Sequence, residues 1–412
     1  LGTKVKIDDI FWTKFAKRYW EKKPTVIKNA MSDTAEIDAQ HLMDLLVRYS
    51  DHCRELKSTD GIKLYIDGRR QFPETVLKYL PRKSDKTLHG YNSRMSSLFA
   101  DYCLVCDELI LVGHAKFDVM RRFVQGLYKE VGLPNRFAET GLYLGNYRKT
   151  PFGVHVDPCG VFSFPVVGKK AFRLWPSSVV KKNPGLAASH KYKKFSNLSS
   201  LLVAEPNDIS YWPSSYWHIA ESDGCFSATW SIGIWVDRPF SELVIEKLTP
   251  LIEKKLLAKS SATSVKMEGS FKVDGQMSRM PDLYSQASSA LRQISRAELS
   301  DLFIKTCLKS NSEAGFKMMP LLKPRPKLTS SHTLGTKPGS PLLWAKLSDG
   351  TLCIGAQGVL IGCRYSKETV ATLRALNLGK PYSLKRRSPA TLHLLERIYQ
   401  ARGIDKFELK NR

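Results

Sequence analysis

No run of apolar residues in this 412-residue chain approaches the roughly 18 that a membrane-spanning helix needs. Residues 1–30 alternate charges with aromatic side chains and build no cationic stretch followed by an apolar core, so no secretory leader is expected. The expectation is a soluble protein with no membrane partner, cytoplasmic, or nuclear were its source eukaryotic. Cysteine is scarce too. Cys53, Cys103, Cys106, Cys159, Cys225, Cys307, Cys353 and Cys363 are scattered and match no disulfide scaffold, which points to reduced thiols. Cys103 and Cys106 form a CxxC, but no second CxxC or CxxH follows at zinc-site spacing, and no structural zinc is expected. Acidic residues are also few, 39 Asp and Glu against 64 Lys and Arg. The net charge of +25 implies an anionic partner such as nucleic acid, a ribosomal surface or an acidic peptide.

What is present is a sizeable core in a chain longer than one typical domain of about 100–200 residues. The aromatics crowd its middle, where Phe152, Phe162, Phe164, Phe172, Trp175, Trp212, Trp217, Trp230 and Trp235 fall. At the front, Phe11, Phe15 and Tyr19 recur at helical spacing behind Asp8 and Asp9, predicting a capped amphipathic helix that Pro24 ends. Thr25–Ile27 and Ile62–Ile66 read as strands, and Leu42–Tyr49 and Phe117–Val131 as helices. From Gly141 to Val236 the pattern changes to short β-branched and aromatic segments, Leu142–Tyr147, Val161–Val167, Ala171–Trp175, Ile209–Trp212 and Ser227–Val236, punctuated by Gly, Pro, Asn and Asp. Strands without intervening helices predict an antiparallel barrel or jelly roll, whose mouth can hold a ligand.

Beyond the strands, residues 241–258 and 285–310 carry leucines and isoleucines at helical spacing. A proline-rich linker follows, and a small α/β module closes the chain with strands at Leu342–Trp344 and Leu352–Ile354 and helices at Lys367–Leu376 and Thr391–Gln400. The expected domains are 1–240, 241–320, a linker 321–341, and 342–412.

The chemistry is carried by three residues. His155-Val-Asp157 sits between two predicted strands, and alternation points both side chains to one face. His218 closes the segment Trp212-Pro-Ser-Ser-Tyr-Trp217-His218. Two imidazoles and a carboxylate make a facial triad. Iron(II) suits it because three coordination positions stay open, two for a chelating 2-oxo acid and one for dioxygen, whereas zinc prefers to close its shell at four. The distal carboxylate of such a co-substrate needs a cation, and Lys169 and Lys170 lie on a strand that a barrel would place opposite His155.

Residues 141–175 and 205–236 resemble the core of the JmjC-type cupins, notably the asparaginyl hydroxylase that acts on hypoxia-inducible factor and the ribosomal-protein oxygenases. That family has a Thr-Pro loop before its HxD, a lysine about fifteen residues after the first histidine, and a P-x(4)-H element; here Thr150-Pro151 precedes the HxD, Lys170 follows His155 by 15 residues, and Pro213 precedes His218 by 5. The opening from Phe11-Trp12 to Pro24 resembles the family's N-terminal signature.

The resemblance implies a mainly β core with added helices, a double-stranded β-helix of the JmjC/cupin type followed by a helical dimerisation region at 241–320 and a winged-helix-like module at 342–412. It also implies an oxygenase using iron(II), 2-oxoglutarate and dioxygen, with His155, Asp157 and His218 as metal ligands and Lys170 on 2-oxoglutarate. Tyr143, Tyr147 and Thr150 are the candidates to complete that site, although Thr150 stands farther from His155 than the family threonine does. The implied reaction is hydroxylation of a C–H in a protein or peptide, releasing succinate and CO2, by a homodimer whose basic surface suits an acidic substrate. The alternatives are N-methyl demethylation by the same chemistry and a non-enzymatic cupin that binds nucleic acid.

Overall fold

A computed structural model describes residues 5–30, 38–257, 264–337 and 339–406. They form two compact units. The first comprises Leu1–Asp237 with Ala314–Leu321, the second Arg238–Glu313 with Leu322–Arg412.

In the first unit, helix α1 (Asp9–Arg18) starts where the Asp8 carboxylate caps the Phe11 N–H, and it buries Trp12 and Phe15. Strand β1 (Thr25–Ile27) follows, then α2 (Ala39–Leu56), β2 (Ile62–Ile66), β3 (Arg69–Arg70), α3 (Pro73–Tyr79), α4 (Leu88–Ser96), β4 (Tyr102–Cys106) and α5 (His114–Val131). The barrel strands are β5 (Ala138–Asn146), β6 (Cys159–Val167) and β7 (Lys170–Pro176); after the short α6 (Ser177–Lys182) come β8 (Ser200–Ala204), β9 (Ile209–Trp212), β10 (Tyr216–Glu221) and β11 (Phe226–Trp235). They build an eight-stranded sheet ordered β1-β9-β6-β11-β5-β4-β2-β3 and a three-stranded sheet ordered β10-β7-β8. Their pairings are antiparallel. Cys159 and Val161 from the large sheet and Phe172, Leu174 and Ala220 from the small one share a buried cluster, so the two sheets face each other. This is the expected jelly roll.

Strand alternation divides the large sheet between two tasks. On β11, Ala228, Trp230, Ile232 and Ile234 join the core built with α1, α2 and α5, while Thr229, Ser231, Gly233 and Trp235 line a cavity between the sheets. The same holds on β5, where Ala138, Leu142 and Leu144 face the core and Glu139, Gly141 and Tyr143 the cavity. The CxxC lies on β4, which is buried on both faces. Cys103 packs with Tyr147, while Cys106 joins the helical core on the opposite face.

The second unit contains α7 (Phe240–Leu257), α8 (Asp282–Arg292) and α9 (Arg296–Ser312), then β12 (Thr333–Gly335), β13 (Leu343–Lys346), β14 (Thr351–Ala356), β15 (Val359–Arg364), α10 (Lys367–Asn377), β16 (Tyr382–Ser383), α11 (Pro389–Gln400) and β17 (Asp405–Lys406). Ser295 and Glu298 make a capping box at the start of α9.

Two stretches differ from the expected boundaries. Ala314–Leu321, read as the end of the helical region, returns to the first unit: Ala138 donates to the Gly315 carbonyl and Lys317 to the Ala138 carbonyl, both at 2.8 Å. The stretch read as a linker contributes β12, which pairs with β16 and β17, and Arg325, which bonds the Tyr399 and Ile404 carbonyls and the Asp405 carboxylate. Proline content marked it as irregular, but its backbone groups find partners far along the chain. Pro338 lies outside the described residues.

Candidate active site

The loop after β5 and the strand β10 meet at one point. His155 and His218 form an isolated antiparallel bridge between the sheets, with ring centroids 4.3 Å apart. Each ring turns Nδ1 to a nearby backbone carbonyl, His155 to Gly153 at 3.0 Å and His218 to Tyr216 at 3.4 Å, which leaves both Nε2 atoms pointing the other way. Those two Nε2 atoms are each 3.7 Å from the same oxygen, Oδ2 of Asp157. The three ligand atoms lie within 4.8 Å of one another. One ion fits such a set, and burial together with the neighbouring His155 ring holds the His218 imidazole well below its ordinary pKa, neutral and able to ligate. Gly153 permits the approach of the loop, because its φ is +73° and a Cβ there would stand 2.7 Å from the Ala188 carbonyl.

Lys170 enters the same cavity from the first residue of β7 and is 1% exposed. Its ammonium bonds the Tyr147 hydroxyl and lies 4.2 Å from the centre of that ring. No carboxylate of a described residue pairs with it, and burial pushes its pKa down to about 8. A buried cation held only by a phenol fits an anionic guest. Lys169, by contrast, points to the surface near Asp223.

The other expected residues gather here too. Tyr143 and Thr150 line the cavity, and the buried Thr150 hydroxyl has no protein partner. The cavity of about 390 Å³ also contains residues that sequence reasoning missed. The hydroxyls of Thr140 and Thr229 are buried in its wall without partners. Phe172 and Trp212 pack with their ring centroids 4.4 Å apart beside His218. Around the mouth stand Lys63, paired with Asp107 at 2.7 Å, and Lys317, 4.0 Å from a Glu139 whose carboxylate accepts from the Trp235 indole. Inward alternation on β11 could have shown Thr229, whereas Thr140 shares the core-facing register of β5 and alternation would have passed it over. Nothing local could have shown Lys317.

Residues 123–240 match the family model described as the JmjC domain. The chain has a JmjC domain. With the His-Asp-His cluster and the buried lysine in one cavity, it is an iron(II)- and 2-oxoglutarate-dependent oxygenase of the JmjC type, with iron(II), 2-oxoglutarate and dioxygen as its cofactors.

Similar solved structures include that of the Escherichia coli protein YcfD, at 15% identity and a TM-score of 0.55, covering 96% of this chain and 98% of that one. A second YcfD structure, described as a ribosomal oxygenase in complex with cobalt and 2-oxoglutarate, matches at 15% identity and a TM-score of 0.53 over the same shares. A third, with cobalt and succinic acid, gives 15% identity and 0.52, again over 96% and 98%. At this identity they show a shared fold, which extends past the JmjC domain to the C-terminal module. Comparison with curated proteins finds no match. Among the described residues, no helix is long and apolar enough to cross a membrane.

Proposed function

We propose that this chain hydroxylates a C–H bond in a protein or peptide side chain, with His155, Asp157 and His218 as the iron ligands and Lys170 as the anchor for 2-oxoglutarate. The observation that carries the reading is the shared cavity. It presents a three-residue ligand set at one wall and a buried, uncompensated ammonium at another, and Asp157 remains 42% exposed, so a substrate chain can reach the metal. Bound iron(II) with 2-oxoglutarate and dioxygen supplies the oxidising chemistry, in which 2-oxoglutarate becomes succinate and CO2 and one oxygen atom is inserted into the substrate C–H.

The chain's own groups orient and protect that chemistry. Lys170 binds the distal carboxylate of 2-oxoglutarate while the Tyr147 hydroxyl holds the ammonium in place. Thr150, Tyr143 and Thr229 offer further hydroxyls along the same wall. Phe152, Phe172 and Trp212 keep water from the reacting side. A protein substrate is favoured by the likeness to YcfD, described as a ribosomal oxygenase. The mouth carries both signs of charge, so acidic and basic peptides both belong in the test.

A homodimer is part of this reading. The helices of the second unit expose Phe240, Ile245, Tyr284 and Leu291, which suits a partner copy, and light scattering of the full chain checks it.

The deciding experiment is mass spectrometry of peptides and ribosomal proteins incubated with the protein, iron(II), ascorbate and 2-oxoglutarate. Gain of one oxygen atom supports hydroxylation. Loss of a methylene unit from an N-methylated peptide would assign demethylation instead. Turnover with neither product would sink the protein-substrate reading.

A further inference from the structure

The turn that delivers His218 is held by a residue far outside the matched JmjC region. After α1 the chain bends through Trp20 and Glu21, and Glu21 adopts a left-handed φ of 48°, a conformation that costs a residue with a side chain. Its carboxylate takes hydrogen bonds from the Tyr211 hydroxyl at 3.2 Å, from the Ser214 N–H at 3.2 Å and from the Ser214 hydroxyl. Its own N–H donates to the Tyr211 oxygen at 2.9 Å. No cation of a described residue pairs with it, although the chain carries a net charge of +25. Gly160 on β6 makes room for this arrangement, since a Cβ there would stand 2.6 Å from Glu21 Oε1 and 3.0 Å from the Trp20 ring.

Ser214 is the middle of the three-residue turn between β9 and β10. The turn is closed by the Tyr216 N–H on the Pro213 carbonyl at 3.1 Å, and its far side is tied by the Ser177 hydroxyl to the Ser215 carbonyl at 2.6 Å. On one side of the turn stands Trp212, on the other His218, with their rings 5.1 Å apart. The side-chain anchor of the near side is therefore Glu21. A carboxylate that receives both the N–H and the O–H of one residue fixes that residue in position and in rotation.

We infer that Glu21 is a positioning residue for the metal ligand His218, acting through Ser214. The inference rests on the metal site proposed above. Metal ligand distances tolerate only about 0.2 Å of error, so a turn that drifts carries His218 out of range even when the sheet stays folded. It explains why a strained backbone and a carboxylate with no cationic partner among the described residues are placed beside the β9–β10 turn, and it makes the N-terminal segment part of the metal site.

The test is cobalt(II) titration of the full chain, followed by the visible cobalt absorption and by quenching of tryptophan emission, with thermal unfolding read in parallel. Glu21→Ala, Ser214→Ala and Gly160→Ala, which displaces the carboxylate without removing it, should each weaken cobalt binding by about tenfold, as loss of groups that orient metal ligands does. Glu21→Gln keeps an acceptor oxygen and should recover most of the loss. Should Glu21→Ala fail to fold, the other two weakened variants carry the comparison. Native-like cobalt affinity and spectrum in the folded variants, whatever their melting temperatures, would overturn the inference and leave the metal site standing, provided Asp157→Ala does not bind. Native-like binding by Asp157→Ala would overturn the metal site, and the role of Glu21 with it.

Discussion

His155 and His218 exchange both of their backbone hydrogen bonds, the His155 N–H to the His218 carbonyl at 3.0 Å and the reverse at 2.7 Å. Side chains of directly opposed residues in an antiparallel pair stand on the same face, so the bridge that joins the two sheets also presents both imidazoles to Asp157. Because the backbone makes the bridge, the side chains can be removed without breaking it. His155→Ala and Asp157→Ala should keep native circular dichroism, lose cobalt(II) binding, and lose succinate production. An Asp157→Ala protein that decarboxylates 2-oxoglutarate at the native rate would refute the triad.

Lys170→Ala should raise the apparent KM for 2-oxoglutarate by roughly tenfold or more, since a charge-assisted hydrogen bond in a dry pocket is worth about 1.5–3 kcal/mol. Tyr147→Phe, which removes the hydroxyl that steadies the ammonium, should raise it by less. Lys169→Ala should leave it unchanged, because Lys169 faces Asp223 at the surface. Initial rates at varied 2-oxoglutarate settle all three, and equal effects from Lys169 and Lys170 would mean that the facing of β7 is misassigned.

The depressed pKa of Lys170 gives a pH signature. With a folded value of about 8 against 10.5, the unfolded chain binds more protons between those values, so the stability of the ligand-free protein contributed by this group rises with pH across that window. Below pH 8 the buried cation is a net cost. Lys170→Met should therefore stabilise the ligand-free protein at neutral pH by roughly 1–3 kcal/mol while it weakens 2-oxoglutarate binding by roughly tenfold or more. In the native protein, 2-oxoglutarate affinity should fall as pH rises past about 8. Denaturant titrations and calorimetry at several pH values check both signs.

The basic segment after β7 suggests a salt experiment. Lys191, Lys193 and Lys194 are exposed and none lines the cavity, yet their segment is tied to the loop of His155 through the Ala188 N–H on the Val154 carbonyl at 2.8 Å. If they steer an acidic peptide, its KM should rise several-fold between low and physiological salt, where the Debye length falls to about 8 Å. Replacing all three with Ser should remove most of that dependence and leave 2-oxoglutarate turnover without peptide intact. An unchanged salt response would assign these lysines to solubility.

Much of the site was legible because it is written in local spacing. The HxD needs only strand alternation to bring His155 and Asp157 to one face, and the fifteen-residue step to Lys170 is one loop and one strand. The choice among Tyr143, Tyr147 and Thr150 was not legible. All three come from one short stretch, and only the antiparallel pairing of β4 with β5, beside which Cys103 packs against Tyr147, shows which phenol meets the ammonium.

By itself the sequence determined most of the barrel strands, though not β10 that carries His218, the candidate ligand residues and the separation of an oxygenase core from a C-terminal module. Hydrophobic period, turn residues and short-range spacing are properties of neighbours along the chain. The tertiary structure alone decided that Lys317 returns to the cavity mouth, that the proline-rich stretch closes a sheet, and that Glu21 reaches the turn before His218. These depend on backbone and side-chain partners far along the chain, from Ser383 for Thr333 to Ser214 for Glu21, or on which of several equivalent polar groups is left to bond, and such pairings are set when the sheets close.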